Sequence, residues 1–263
     1  MNERRTETLV VTLVTFTNLF IAFFISGVVI WALGEDPWFA LKTLLYGAFG
    51  YDEALGYTLY YTTNFIFTGL AFAIGFHCGL FNIGAEGQAY IGGLAVGLIC
   101  LWLENWPLWL VFPLAVSASI IFGGIWGAIP GYLKGKRGSH EVVTTIMFNF
   151  IASVIMVDLL SHVLRPDGQM SPESRDFAER VWVPQMHEIF EWFGIQITQT
   201  PLNGTFFFAL LCLILVWRFI WYTRWGYEIR TVGTNDTAAV YAGISVSRNI
   251  ILAMALCGGL AGF

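Results

Sequence analysis

The segment Cys78–Ala89 reads C-G-L-F-N-I-G-A-E-G-Q-A and gathers the chain's most concentrated hydrogen-bonding chemistry inside an apolar region. It holds two amides (Asn82, Gln88), one carboxylate (Glu86) and three glycines (Gly79, Gly84, Gly87). Amides and carboxylates can grip a solute carrying hydroxyls or ring nitrogens. The same groups can instead satisfy backbone freed where a helix breaks. Phe81, Asn82, Glu86 and Gln88 are therefore candidate pathway residues, with locking of a helix break as the competing role. Phe81 could stack on a flat ring, but aromatic residues are frequent enough here for core packing to explain it. The apolar arms on either side, Asn64–Phe76 and Tyr90–Leu103, reach about 20 Å each at about 1.5 Å per helical residue. A bilayer core is about 30 Å thick, so part of the polar segment is expected at membrane depth, where ionisable groups mark functional sites; the alternative is an ordinary cytoplasmic turn between two short tilted helices.

Other reactive side chains are less organised. Asp158 and His162 stand one helical turn apart and could relay protons, although their place near a span end suits a solvated pair. Glu141 follows a basic loop, Lys134–His140, and suits the start of a helix, where a carboxylate complements the dipole. The four cysteines (Cys78, Cys100, Cys212, Cys257) lie in apolar runs without ligand spacing, so neither a metal site nor a disulfide framework is expected. An intramembrane serine protease would need a G-x-S-G serine; Ser26-Gly27 lacks the upstream glycine.

The elements that must carry these groups are membrane helices. Of the 263 residues, 57% are hydrophobic and 12% charged, about half the charge of an ordinary soluble domain. The net charge of −5 and the lack of a basic patch beyond short loops argue against nucleic-acid binding. Leu9–Leu33 is too long for a signal-peptide core and reads as an uncleaved span. Asp36-Pro37 should cap a short helix over Trp38–Phe49, lying along the interface. Further spans are expected at Leu108–Leu133, Glu141–Leu164 and Thr205–Tyr222, with a last one beginning at Ile250. Glycines at spacing four (Gly93 and Gly97; Gly123, Gly127 and Gly131; Gly258 and Gly262) predict close helix approach. The expected fold is an all-α polytopic bundle: one transmembrane domain over 1–263, about seven membrane segments and a broken helix pair around 77–88. The last segment covers about 21 Å and is expected to be incomplete.

Charge bias orients the bundle. With the N-terminus inside, Arg4, Arg5, Lys134, Lys136, Arg137, Arg224, Arg230 and Arg248 are cytoplasmic, which agrees with the positive-inside rule. The segment 165–204 is then external, and 224–249 is a cytoplasmic polar loop. Within the latter, Asp236 is expected to cap a short helix bearing Ala238, Ala239 and Ala242, ended by Gly243. A small-residue helix of this kind suits docking into a groove on a partner, although composition alone favours a plain connecting helix.

Gly79–Gln88, Ser139–Met147 and Gly233–Arg248 together resemble permease subunits of bacterial ABC importers for nucleosides and simple sugars, nearest to the guanosine type. Thr237-Ala238-Ala239-x-x-x-Gly243 is similar to the loop by which such permeases engage their ATPase, with Thr237 where the general motif has Glu. The resemblance implies that the docking residues are Thr237, Ala238, Ala239 and Gly243. It also implies a non-catalytic chain in the bacterial inner membrane, partnered by an ATP-binding subunit, a second permease subunit and an extracytoplasmic solute-binding protein. ATP and magnesium would sit on the ATPase, since the sequence holds no G-x-x-x-x-G-K-[ST]. The alternative is an ion-coupled secondary transporter or channel using Glu86, Asp158 or His162.

Overall fold

The computed structural model describes residues 2–263, with side chains from Val10 onward. The side chains of Arg4 and Arg5, used above for orientation, fall outside the described residues. The described chain is helical: α1 (Asn2–Ala32), α2 (Pro37–Phe49), α3 (Asp52–His77), α4 (Ala85–Trp102), α5 (Leu108–Arg137), α6 (Glu141–His162), α7 (Met186–Glu191), α8 (Thr205–Tyr222), α9 (Arg224–Thr234), α10 (Asp236–Tyr241) and α11 (Val246–Gly262). Six are long and apolar enough to cross a membrane: α1 from Val10, α3, α4, α5, α6 and α8; α11 is a shorter apolar helix.

Two compact units divide the chain, residues 1–58 with 197–200, and residues 59–196 with 201–263. In the first, Asp36 accepts a hydrogen bond from the Trp38 N–H at 2.9 Å, with Pro37 opening α2, as the sequence predicts. The Thr58 hydroxyl donates to the Ala48 carbonyl at 2.8 Å. Thr200 packs so closely on Gly56 that a Cβ there would overlap its side chain.

The second unit is built on glycine contacts. α5 and α11 meet face to face: a Cβ at Gly123 would strike the Gly258 carbonyl oxygen, one at Gly127 the Met254 carbonyl oxygen, and one at Gly131 would sit 2.8 Å from Met254 Cβ. In an apolar solvent no hydrophobic force drives helices together, so close backbone approach and dispersion must do it. The spacing-four ridges of α5 and α11 thus find one another. In α4 the expectation is corrected. Gly93 has open space around it, and the neighbouring Gly92 meets Gly262. Spacing alone could not tell which phase of α4 faces the core, because Gly92 and Gly93 are adjacent.

Two further corrections concern helix lengths. α3 has 26 residues and α4 has 18, about 39 and 27 Å long. The argument that short arms force the polar segment to membrane depth therefore fails. Tyr57–Thr63 continues α3 on one side, and Ala85–Ala89 already belongs to α4 on the other. The polar loop expected over 224–249 is mostly helix, with Ile229 and Val232 of α9 buried.

Gly127→Val should cost about 1–3 kcal/mol or more, since the new methyls meet backbone on a helix that cannot retreat without opening the contact. Gly93→Val should change little. Thermal unfolding of the two variants in detergent would separate them; equal midpoints would contradict the packing.

Candidate functional site

The break between α3 and α4 covers seven residues and is built in three steps. First, α3 stops at Gly79, whose φ of +72° is left-handed. Leu80 N–H bonds to the Gly75 carbonyl at 2.9 Å and Gly79 N–H to the Phe76 carbonyl at 3.0 Å, the paired bonds of a Schellman ending. Second, Asn82 turns the chain: its Oδ1 accepts from Gly84 N–H at 2.8 Å, and its Nδ2 donates to Gln88 Oε1 at 3.1 Å. Third, α4 starts with N–H groups that lack intrahelical partners. One of them, Gly87 N–H, donates to Asn149 Oδ1 at 2.9 Å, while Asn149 Nδ2 donates to the Ile83 carbonyl at 2.9 Å. Asn149 lies on α6, so a separate helix caps α4 and holds the loop before it.

The candidate residues separate by location. Asn82 and Gln88 are buried and bonded to each other, with Thr145 packed behind Gly84. Glu86 and Phe81 are exposed. Glu86 occupies the first turn of α4, where the dipole favours a carboxylate, and accepts from the Tyr90 hydroxyl at 3.2 Å. Phe81 packs edge-on against Phe72 with ring centroids 5.3 Å apart. The four residues therefore do not converge on one point. In the sequence Asn149 stands out only as one of four polar residues at the start of its span, with Glu141, Thr144 and Thr145, and carries no assigned role. The signal available was its position two residues after Ser139–Met147, on the same helix as buried Thr145.

The break touches the second informative region directly. A Cβ at Gly233 would strike the His77 carbonyl oxygen and lie 2.7 Å from Gly79 N, and one at Gly79 would lie 3.2 Å from Gly233 Cα. The end of α3 and the end of α9 are thus in backbone contact. Cys78, Gly79, Lys134, Gly233, Asn235 and Asp236 line a cavity of about 320 Å³ there. Burial, reinforced by the charge of Asp236, pushes the Cys78 thiol up to about 12, so it stays protonated and packs as a small hydrophobe. Arg230 lies over the Trp221 ring at 4.5 Å, and Asn249 Nδ2 donates to Glu228 at 3.3 Å, fastening α9 to α8 and α11.

The short helix α10 is present, with one change in its cap. Asn235, not Asp236, accepts from Ala238 N–H at 3.0 Å, because Asn235 has the extended backbone of an N-cap while Asp236 is already helical. Gly243 follows the helix with φ +75°. Thr237, Ala238 and Gly243 are exposed, but Ala239 is fully buried in the chain's own core. Of the remaining candidates, Glu141 pairs with Lys134 at 2.8 Å. Asp158 and His162 form an exposed pair at 3.0 Å near the end of α6 farthest from Glu141.

The family described as branched-chain amino acid transport system / permease component matches residues 54–263. The chain belongs to this family. The nucleoside ABC transporter permease protein NupB of Lactococcus lactis subsp. cremoris is 31% identical over 250 residues, covering 95% of this chain and 68% of that protein. The guanosine ABC transporter permease protein NupP of Bacillus subtilis is 35% identical over 216 residues, covering 82% of this chain and 60% of that protein. The glucose ABC transporter permease protein TsgB13 of Haloferax volcanii is 27% identical, with 89% of this chain and 61% of that protein covered. The chain thus spans between three fifths and just over two thirds of these relatives' lengths. No solved structure matches it. Membership in this permease family and the six apolar helices make the chain a multi-pass membrane protein.

Asn149→Leu should leave the buried Gly87 N–H unpaired and cost about 1–3 kcal/mol. Glu86→Gln, at an exposed position, should leave thermal unfolding in detergent almost unchanged. An Asn149→Leu midpoint equal to that of the unmodified chain would refute the capping role.

Proposed function

We propose that this chain is the permease subunit of an ATP-driven importer for nucleosides, with purine nucleosides the favoured solutes, and that it binds no ATP itself. The reading is supported by the similarity to NupB and NupP across most of the chain. Simple sugars are the second solute class, supported by the similarity to TsgB13. A second permease subunit, an ATPase and an extracytoplasmic solute-binding protein complete the machine. The N-terminus is placed in the cytoplasm of a bacterial plasma membrane, so that the break, α9 and α10 face the ATPase and 165–204 faces outward.

The observation that carries the docking assignment is the outward face of α10. Val240 is 63% exposed and Tyr241 88% exposed, beside exposed Thr237 and Ala238. An apolar, aromatic-tipped short helix fits a groove on a partner protein. Ala239 plays a different part: it seats α10 on the core, where Ile229, Val232 and Ala253 are also buried. Movement of α10 by the ATPase would reach the break through the Gly79–Gly233 contact, and so reach α3 and α4. Asn82, Gln88 and Asn149 keep the break intact while it moves, and Glu86 and Phe81, on the exposed face, are left free to meet solute.

Two measurements test this. Guanosine uptake into cells or vesicles should vanish when the ATPase is absent and persist when the proton gradient is collapsed at constant ATP; the opposite result would sink the importer reading. Tyr241→Asp should lower co-purification of the ATPase about tenfold or more, a hot-spot-sized effect, with normal permease yield. Ala239→Arg should lower permease yield itself. Full ATPase recovery with Tyr241→Asp would remove α10 as the docking element.

A further inference from the structure

Midway along α3 stands an amide that the fold does not use. Asn64 has twelve residues of the 26-residue helix before it and thirteen after, about 18–20 Å from either end. It is exposed, and its side chain makes no hydrogen bond among the described residues. An amide held in hydrocarbon without a partner is costly. Beside it lies a cavity of about 280 Å³ lined by Thr63, Asn64, Phe67, Thr68, Ala89 and Thr205, among others. That volume is near the lower edge of the range of about 300–1,000 Å³ for small-molecule sites.

The lining is chemically uneven. Thr63 donates its hydroxyl hydrogen to the Leu59 carbonyl at 2.9 Å, Thr68 to the Asn64 carbonyl at 3.1 Å, and Thr205 to Asn203 Oδ1. Each hydroxyl is left with acceptor capacity alone. Asn64 contributes two free N–H donors and one free carbonyl acceptor. A lipid chain offers nothing to this set. A neutral solute with alternating donors and acceptors, such as a ribose edge or a purine amide edge, matches it.

We propose that Asn64 is a solute-contacting residue halfway along the translocation pathway, reading the hydrogen-bonding edge of the solute as it passes. This rests on the importer reading above and adds a residue to it that neither the motifs nor the break contains. In secondary transporters solute sites lie near the bilayer midplane, and Asn64, halfway along a spanning helix, is at the corresponding depth for a solute reached from both sides. Asn64 acts by direct contact, with the threonine oxygens completing the cavity wall.

The test uses the complete importer, with its solute-loaded binding protein, in sealed vesicles. The four native cysteines are replaced in a background that retains uptake. Asn64→Cys and Thr68→Cys are then treated from outside with a membrane-impermeant, positively charged methanethiosulfonate, and labelling is followed by mass as well as by uptake. Both thiols should react within minutes during turnover, and saturating guanosine should slow the reaction at least fivefold. Phe65→Cys, at a 73% exposed neighbouring position, should stay unlabelled if that side of α3 faces lipid. Asn64→Leu should lower guanosine uptake at least tenfold while leaving ATPase co-purification unchanged, and Asn64→Gln should restore part of it. Unreactive thiols at 64 and 68 would overturn the proposal, as would labelling that guanosine does not slow. Should those thiols stay inert while uptake by the unmodified importer is ATPase-dependent, the Asn64 assignment fails and the importer reading stands. ATPase-independent uptake would overturn the importer reading instead.

Discussion

Where a helix breaks against neighbouring helices, the backbone N–H and C=O groups that become buried must each find a partner within the protein. Much of the architecture around the break answers that constraint. Gly79 closes α3 with its own backbone, Asn82 turns the loop, Gln88 braces Asn82, and Asn149 reaches across from α6 to cap α4. The glycines follow from the same need. Gly84 and Gly87 lack side chains because Asn82, Thr145 and Asn149 occupy the space a Cβ would take. Polarity in this segment is first a matter of satisfying backbone, and it leaves Glu86 and Phe81 on the outside.

The break is fixed in place by contacts made without side chains. α11 lies against α5 through Gly123, Gly127 and Gly258, and against α4 through Gly92 and Gly262. Near the loop, Gly79 meets Gly233 backbone to backbone. Such contacts have little slack, because neither partner has a rotamer to change, so displacement of α9 is passed on to the loop after α3. A chain whose proposed partner acts from one end of the bundle needs that stiffness. The amphipathic α9 is itself held fast, with Ile229 and Val232 anchored in the core and Arg230 laid over Trp221.

The same features explain how the chain can be polar where it matters and still survive in a membrane. Buried amides are paired with one another or with backbone, and Lys134 and Glu141 neutralise each other where α5 and α6 join. Asp158 and His162 are exposed near the opposite end of α6. Asn64, central on α3, and Asn18, within α1, are exposed amides whose side chains make no hydrogen bond among the described residues.

Much of this was legible in the residues. The 57% hydrophobic composition and the long apolar runs determined an all-α membrane bundle. Asp36-Pro37 located the start of α2, and the motifs Gly79–Gln88 and Thr237–Gly243 marked the break and the short helix α10. These are local properties, written in periodicity, caps and glycine placement, which is why sequence carries them. What the tertiary structure alone decided was pairing and facing. Nothing in the order of residues says that Asn149 caps α4 from 62 positions away, that Gly92 and not Gly93 meets α11, or that Ala239 turns inward while Tyr241 turns out. The arm Asn64–Phe76 is also longer than its apolar run, because Tyr57–Thr63 continues the same helix. Each of these depends on which surfaces meet once the helices pack, and a one-dimensional pattern fixes the helices without fixing their neighbours.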